Sequence, residues 1–218
     1  MALYMSNQRP LIALFGGTFD PIHLGHLHIA KQVYRLLPTQ IVHFIPCNQP
    51  PHRATPQATA QDRLAMVQLA IQPYPYFVAD DQEIKREGTS YTVDTLKTLR
   101  ADHQNARFGL IIGSDAFSQF HQWHQWQLIL QLTHLIVINR PGYNTLWTLP
   151  LANLEPDHKT ANLLQLIARP AGGIHQLIIP PSPISASSIR EKIHNKQDVS
   201  NFLPATVLDY IQQHRLYN

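Results

Sequence analysis

The 218 residues, 44% hydrophobic and 14% charged, are enough for one substantial α/β domain with a full core and too apolar for a disordered chain. A formal charge of +3 fits an anionic ligand without identifying one, and the absence of any Lys/Arg run argues against a surface that tracks nucleic acid. No apolar run reaches the roughly 18–20 residues of a membrane helix, and the N-terminal MALYMSNQRP lacks the plan of a secretion signal. Cys47 has no second cysteine to pair with, so a cytoplasmic location and no membrane partner are expected.

In chain order, PLIALF (10–15) reads as the first strand, followed by an amphipathic helix over 24–37 and a second strand, IVHFI (41–45). A helix over 60–71 and another over 92–103 precede the strand FGLII (108–112). A helix over 126–132 leads to HLIVIN (134–139), and HQLII (175–179) is the last strand, with helices over 187–194 and 204–214 after it. NQPPH, KREGTS, NRPGY and PPSP mark loops. Residues 144–170 are the least regular, with NLLQLIA a further candidate helix. Several strands lack polar alternation, as strands buried on both faces do. Strand and helix alternating in this way predict a Rossmann-like doubly wound parallel sheet in a single domain. Ligands of such a sheet bind beyond the strands' carboxyl ends, where the strand order reverses.

The sharpest feature follows the first strand directly: Gly16-Gly17-Thr18-Phe19-Asp20-Pro21-Ile22-His23-Leu24-Gly25-His26. Two glycines at a strand end let backbone N–H groups approach a phosphate, and the helix start beyond them favours an anion. His23 and His26, three residues apart, share a helical face. The run is neither G-x-G-x-x-G nor a P-loop. Each part alone has an ordinary explanation: a Gly-Gly turn, a packed histidine. A zinc pair would want a third ligand that no nearby Cys or Glu supplies. Near the other end stands Ile184-Ser185-Ala186-Ser187-Ser188-Ile189-Arg190, whose serines can cap a helix and whose arginine offers a fixed fork of donors, although a Ser-capped helix is by itself common.

Together the two runs resemble the signatures of the nucleotidyltransferase superfamily, a His-x-Gly-His pair and an Ile-Ser-Ser-Thr-x-x-Arg element. Here Ala186 and Ser187 stand in place of a serine and a threonine. The resemblance implies that His23, His26 and Arg190 are catalytic, stabilising charge on the ATP phosphates as pyrophosphate leaves. Gly16, Gly17, Thr18, Phe19, Gly113, Asp115, Arg140, Ser185 and Ser187 would complete the ATP site.

The acceptor is addressed by three further segments: Pro46 through Arg53, Lys85 through Leu96 with Ser-Tyr-Thr-Val-Asp-Thr-Leu, and Ile112-Gly113-Ser114-Asp115 continuing to Trp123-His124. They resemble bacterial nicotinate-nucleotide adenylyltransferase, in which an arginine such as Arg53 is usually lysine and His124 is often tyrosine. That resemblance implies a nicotinate mononucleotide site of Arg53, Ser90, Tyr91, Thr92, Trp123 and His124, with ATP and Mg²⁺ as the other reactants and no resident metal. An indole such as Trp123 can stack on a pyridine ring, and Asp115 just past a strand end can accept from ribose hydroxyls. Lys85 and Glu87 read as solvated loop charges. Nicotinamide mononucleotide and phosphopantetheine remain alternative acceptors, and a nucleotide sensor on the same fold remains an alternative to an enzyme. A dinucleotide-dependent oxidoreductase lacks its glycine fingerprint here.

Overall fold

A computed structural model describes residues 11–51, 54–139, 151–180 and 182–218. The chain begins β1 (Leu11–Gly17), α1 (Leu24–Leu36), β2 (Thr39–Pro46), α2 (Ala60–Ile71), β3 (Phe77–Ala79), α3 (Gln82–Arg86), α4 (Thr92–Asp102) and β4 (Arg107–Gly113). It continues α5 (Ser114–Ser118), α6 (Trp126–Leu132), β5 (His134–Ile138), α7 (Glu155–His158), α8 (Leu163–Ile167), β6 (Ile174–Leu177), α9 (Ala186–His194) and α10 (Ala205–Gln213). The described strands form one parallel sheet in the order β3-β2-β1-β4-β5-β6, the doubly wound arrangement that the alternation of strand and helix predicts. The order reverses between β1 and β4. Their pairing stops at Leu14↔Leu110, short of Gly17 and Gly113, so the two strands part at their carboxyl ends and leave a crevice there.

Alternation within β1 explains why its sequence is apolar throughout. Ala13 and Phe15 face the side covered by Leu27, Ala30 and Val33 of α1, Met66, Val67 and Ala70 of α2, and Val207 and Ile211 of α10. Leu14 faces the other side, where Val93, Leu96 and Leu99 of α4 and Ile129 and Leu130 of α6 cover the sheet. Both faces are dry, so no position can be polar.

The sequence patterns miss the short elements. β3 has three residues, too few for a period, and α3 runs into residues that read as a loop. α5 follows β4 without a linker, which hides it behind the strand's apolar run. The NLLQLIA tract is α8, started by Asn162, whose side chain accepts from the Gln165 backbone N–H at 3.0 Å. Arg140, Pro141 and Gly142 of the Asn-Arg-Pro-Gly loop lie outside the described residues, as does Arg53.

One histidine is committed to the core. His134 opens β5 fully buried; its Nδ1 accepts from the Gly173 N–H at 3.0 Å, which leaves Nε2–H to donate to the Arg169 carbonyl at 3.2 Å. Burial pushes its pKa from 6.5 down to about 4. The unfolded chain therefore binds this proton first, and stability falls as pH drops from 6.5 toward 4. By pH 4.5 the loss from this group is roughly 2–3 kcal/mol. Denaturant unfolding of the parent and His134→Gln between pH 7 and 4.5 checks this: the parent loses more stability with acid than the variant, which has nothing to titrate there.

Candidate active site

The glycine turn ends β1 and is tied down on several sides. The Gly17 carbonyl accepts from the Cys47 N–H at 3.0 Å, joining the turn to the loop after β2. A Cβ on Gly16 would meet no protein atom, so this glycine faces open space at the crevice. Phe19 takes the left-handed backbone conformation (φ 50°) and lays its ring against Gly17, where an added Cβ would lie 3.0 Å from it. The Asp20–Pro21 peptide is cis, and α1 begins after His23.

His23 and His26 stack, with ring centroids 3.7 Å apart and 24° between planes. His26 Nδ1 accepts from the His23 N–H at 3.3 Å, so the neutral ring carries its proton on Nε2, where it can donate. Phe19 packs edge-on to His26 at 5.0 Å. The reason for a glycine between the histidines is steric: a Cβ at Gly25 would stand 3.0 Å from His23 Nδ1 and 3.0 Å from Ser182 Oγ. Gly25 thus lets the His23 ring lie back on the helix, and lets the loop before α9 reach α1.

That loop brings in the second motif. Ser185 caps α9, its hydroxyl accepting from the Ser188 N–H at 3.2 Å. Ser187 Oγ lies 3.5 Å from Arg190 Nη2, and Arg190 Nη1 donates to the Asp20 carbonyl at 2.6 Å. Arg190 is therefore held against the glycine-turn motif, some 170 residues away in sequence.

Across the crevice stands the β4 end, with Gly113 leading into Asp115 in the first turn of α5. Beyond it Trp123 is half-buried against Phe120, centroids 5.5 Å apart. His124 is exposed and lies 4.7 Å from the Tyr91 ring, which joins this segment to the start of α4 at Thr92. Ser90 links the same start to the loop after β2: its hydroxyl accepts from the Asn48 N–H at 2.9 Å, and its own N–H donates to the Gln49 carbonyl at 2.9 Å. The described sequence-predicted residues thus gather on the carboxyl edge of β1, β2 and β4, with the histidines and Arg190 on one side and Ser90, Tyr91, Thr92, Trp123 and His124 on the other.

Residues 14–192 match the cytidylyltransferase-like family. A Coxiella burnetii protein named "Probable nicotinate-nucleotide adenylyltransferase" is 43% identical over 211 residues, covering 95% of this chain and 98% of that one. A Pectobacterium atrosepticum protein of the same name is 43% identical over 209 residues, with 95% and 98% covered. The chain belongs to the nicotinate-nucleotide adenylyltransferase family. The nicotinic acid mononucleotide adenylyltransferase of Plasmodium falciparum, solved in complex with NaAD, shares the fold at 21% identity, with a TM-score of 0.72 and 95% and 97% of the two chains covered.

This member of the family also positions its site with residues that motif reading passes over. Arg63, on α2 and 1% exposed, spends its guanidinium on three backbone carbonyls: Ala58 at 3.3 Å, Thr18 at 2.7 Å and Asn48 at 2.9 Å. It clamps the glycine turn to the loop after β2. Glu83 of α3 is buried under the Ser90 segment and accepts from Thr95 Oγ1 at 2.6 Å; burial pushes its pKa up, opposed by hydrogen bonds from Thr95 and Ser90. Arg63 left a faint signal in the sequence, a cation in the same helical stripe as Met66, Val67 and Ala70. Glu83 left none, since α3 is too short to show a face.

Among the described residues no group of three or more His, Cys, Asp or Glu could hold a metal ion.

Proposed function

We propose that the chain transfers the adenylyl group of ATP to nicotinate mononucleotide, forming nicotinate adenine dinucleotide and releasing pyrophosphate. The observation that supports this reading is that the Gly16–His26 run with Arg190 lies at the carboxyl end of β1 and the Tyr91–His124 contact lies beyond β4, on either side of the reversal between the two strands. An oxygen of the acceptor phosphate attacks the α-phosphorus in line. The new bond is O–Pα, and the bond broken joins Pα to the bridging oxygen that leaves with pyrophosphate. His23, His26 and Arg190 compensate the charge that grows on the leaving group, and the Gly16–Gly17 backbone accommodates phosphate oxygens. Asp115 receives ribose hydroxyls. Thr92 and Trp123 hold the nicotinate ring, Trp123 by stacking. ATP enters as its Mg²⁺ complex, the ion adding charge neutralisation on the phosphates.

A cytoplasmic location fits ATP as a substrate and the lone buried thiol of Cys47. No described helix is long and apolar enough to cross a membrane. The test is pyrophosphate release from MgATP with nicotinate mononucleotide, nicotinamide mononucleotide or phosphopantetheine. Fast release with the acid alone is the expected result, because a site built for a carboxylate rejects its neutral analogue. Equal rates with acid and amide would remove the preference for the acid and show that His124 or its loop has loosened the pocket, and release with phosphopantetheine alone would replace the acceptor.

A further inference from the structure

Resting on ATP as the nucleotide substrate, we propose that Tyr217 is a positioning residue for the triphosphate. Its hydroxyl, bound to the Asp20 carboxylate, keeps Arg190 available to ATP. The segment after α10 returns to the start of the molecule and places Tyr217 197 residues from its partner, at 2.8 Å from Asp20 Oδ1. The Asp20 carboxylate is itself buried, 5% exposed, and surrounded by donors. Oδ1 also accepts from the Ala58 N–H at 3.1 Å, and Oδ2 accepts from the Gln57 N–H at 2.9 Å. Arg190 stands off from this carboxylate, its Nη1 3.9 Å from Oδ2 while donating to the Asp20 main-chain carbonyl at 2.6 Å.

Two anions therefore compete for one guanidinium: the buried carboxylate and the incoming triphosphate. A carboxylate supplied with neutral donors has less need of the cation. Without the Tyr217 hydroxyl, Oδ1 loses a donor in a dry setting, and Arg190, 3.9 Å from the same carboxylate, is the cationic donor beside it. Arg190 Nε is buried with no hydrogen-bond partner among the described residues, so a shift of the guanidinium has an unsatisfied donor to gain by it. Closing the 3.9 Å gap forms a charge-assisted contact with Asp20 and draws the fork away from phosphate. Burial and the adjoining carboxylate hold the Tyr217 phenol well above the ordinary tyrosine range, so its hydroxyl remains a donor throughout the working pH range.

The test compares Tyr217→Phe with Tyr210→Phe. Phenylalanine keeps the buried ring of Tyr217 in the core and removes only the hydroxyl. Tyr210 is the control: its hydroxyl donates to Asp62 at 2.9 Å, another tyrosine–carboxylate bond of the same C-terminal region that does not touch Asp20 or Arg190. Tyr217→Phe should raise the Kd of a non-hydrolysable MgATP analogue and the KM for ATP about fivefold, about 1 kcal/mol, and leave the KM for nicotinate mononucleotide unchanged. Tyr210→Phe should leave both constants at parent values. Unchanged ATP constants in Tyr217→Phe would overturn the proposal, as would an equal rise in both KM values with a lowered Tm. Binding of the analogue is read without turnover. If the parent protein binds it but releases no pyrophosphate, the acceptor reading fails while the role of Tyr217 is still decided by the Kd.

Discussion

Replacing His26 with alanine is expected to lower turnover by about 10²–10³-fold, the usual effect of deleting one preorganised donor at a site of developing charge. His26 is suited to that part because its tautomer is set: Nδ1 is engaged by the His23 N–H, so the proton sits on Nε2. The stack with His23 and the edge contact with Phe19 hold the ring without rotamer freedom to spend in the transition state. The His26 contacts with His23 and Phe19 lie on the α1 side of the crevice, away from the start of α4, so the KM for nicotinate mononucleotide should stay within about twofold of the parent value. Steady-state kinetics with each substrate varied in turn, beside a thermal melt, separate the cases. A fall in kcat with a rise in both KM values and a lower Tm would show that His26 holds up the turn and does not stabilise charge.

The framework was legible because both faces of the sheet are covered. Continuous apolar runs such as FGLII and the LIVI inside HLIVIN have no polar position to break them, and both lie within strands of the sheet. The histidine pair was legible because its parts are adjacent in the chain, and the same holds for Ser90, Tyr91 and Thr92. What joins these parts was not legible. Asp20 belongs to a recognisable run, yet its side chain reaches Gln57, Ala58 and Tyr217, none of which any local pattern connects to it. Glu83 lies in a five-residue helix that shows no periodicity, beneath a segment whose own residues drew attention because they form a motif. Contacts across long separations leave no periodic trace, so a sequence reveals candidate groups that stand together in the chain more readily than the groups that hold them in place.

Arg63 brings that distinction to a large effect. Arg63→Met should destabilise the protein by about 3–5 kcal/mol, the usual cost of deleting one member of a buried charged network. For a chain of this length that corresponds to a drop in Tm of about 6–20 °C. The methionine fills most of the volume of the side chain but donates nothing, which strands the carbonyls of Thr18, Asn48 and Ala58 where water is scarce. Arg63→Lys retains the charge on a single nitrogen that cannot span three acceptors set around a planar fork, so it should fold and recover part of the stability. Its kinetic signature differs from that expected of Tyr217→Phe. Thr18 lies in the glycine turn and Asn48 in the loop bound to Ser90, so loosening their common clamp should raise the KM for ATP and the KM for nicotinate mononucleotide together, each by about three- to tenfold. A lysine variant with lowered stability and parent kinetic constants would mean that the two walls of the crevice are set independently, and that Arg63 serves the core alone.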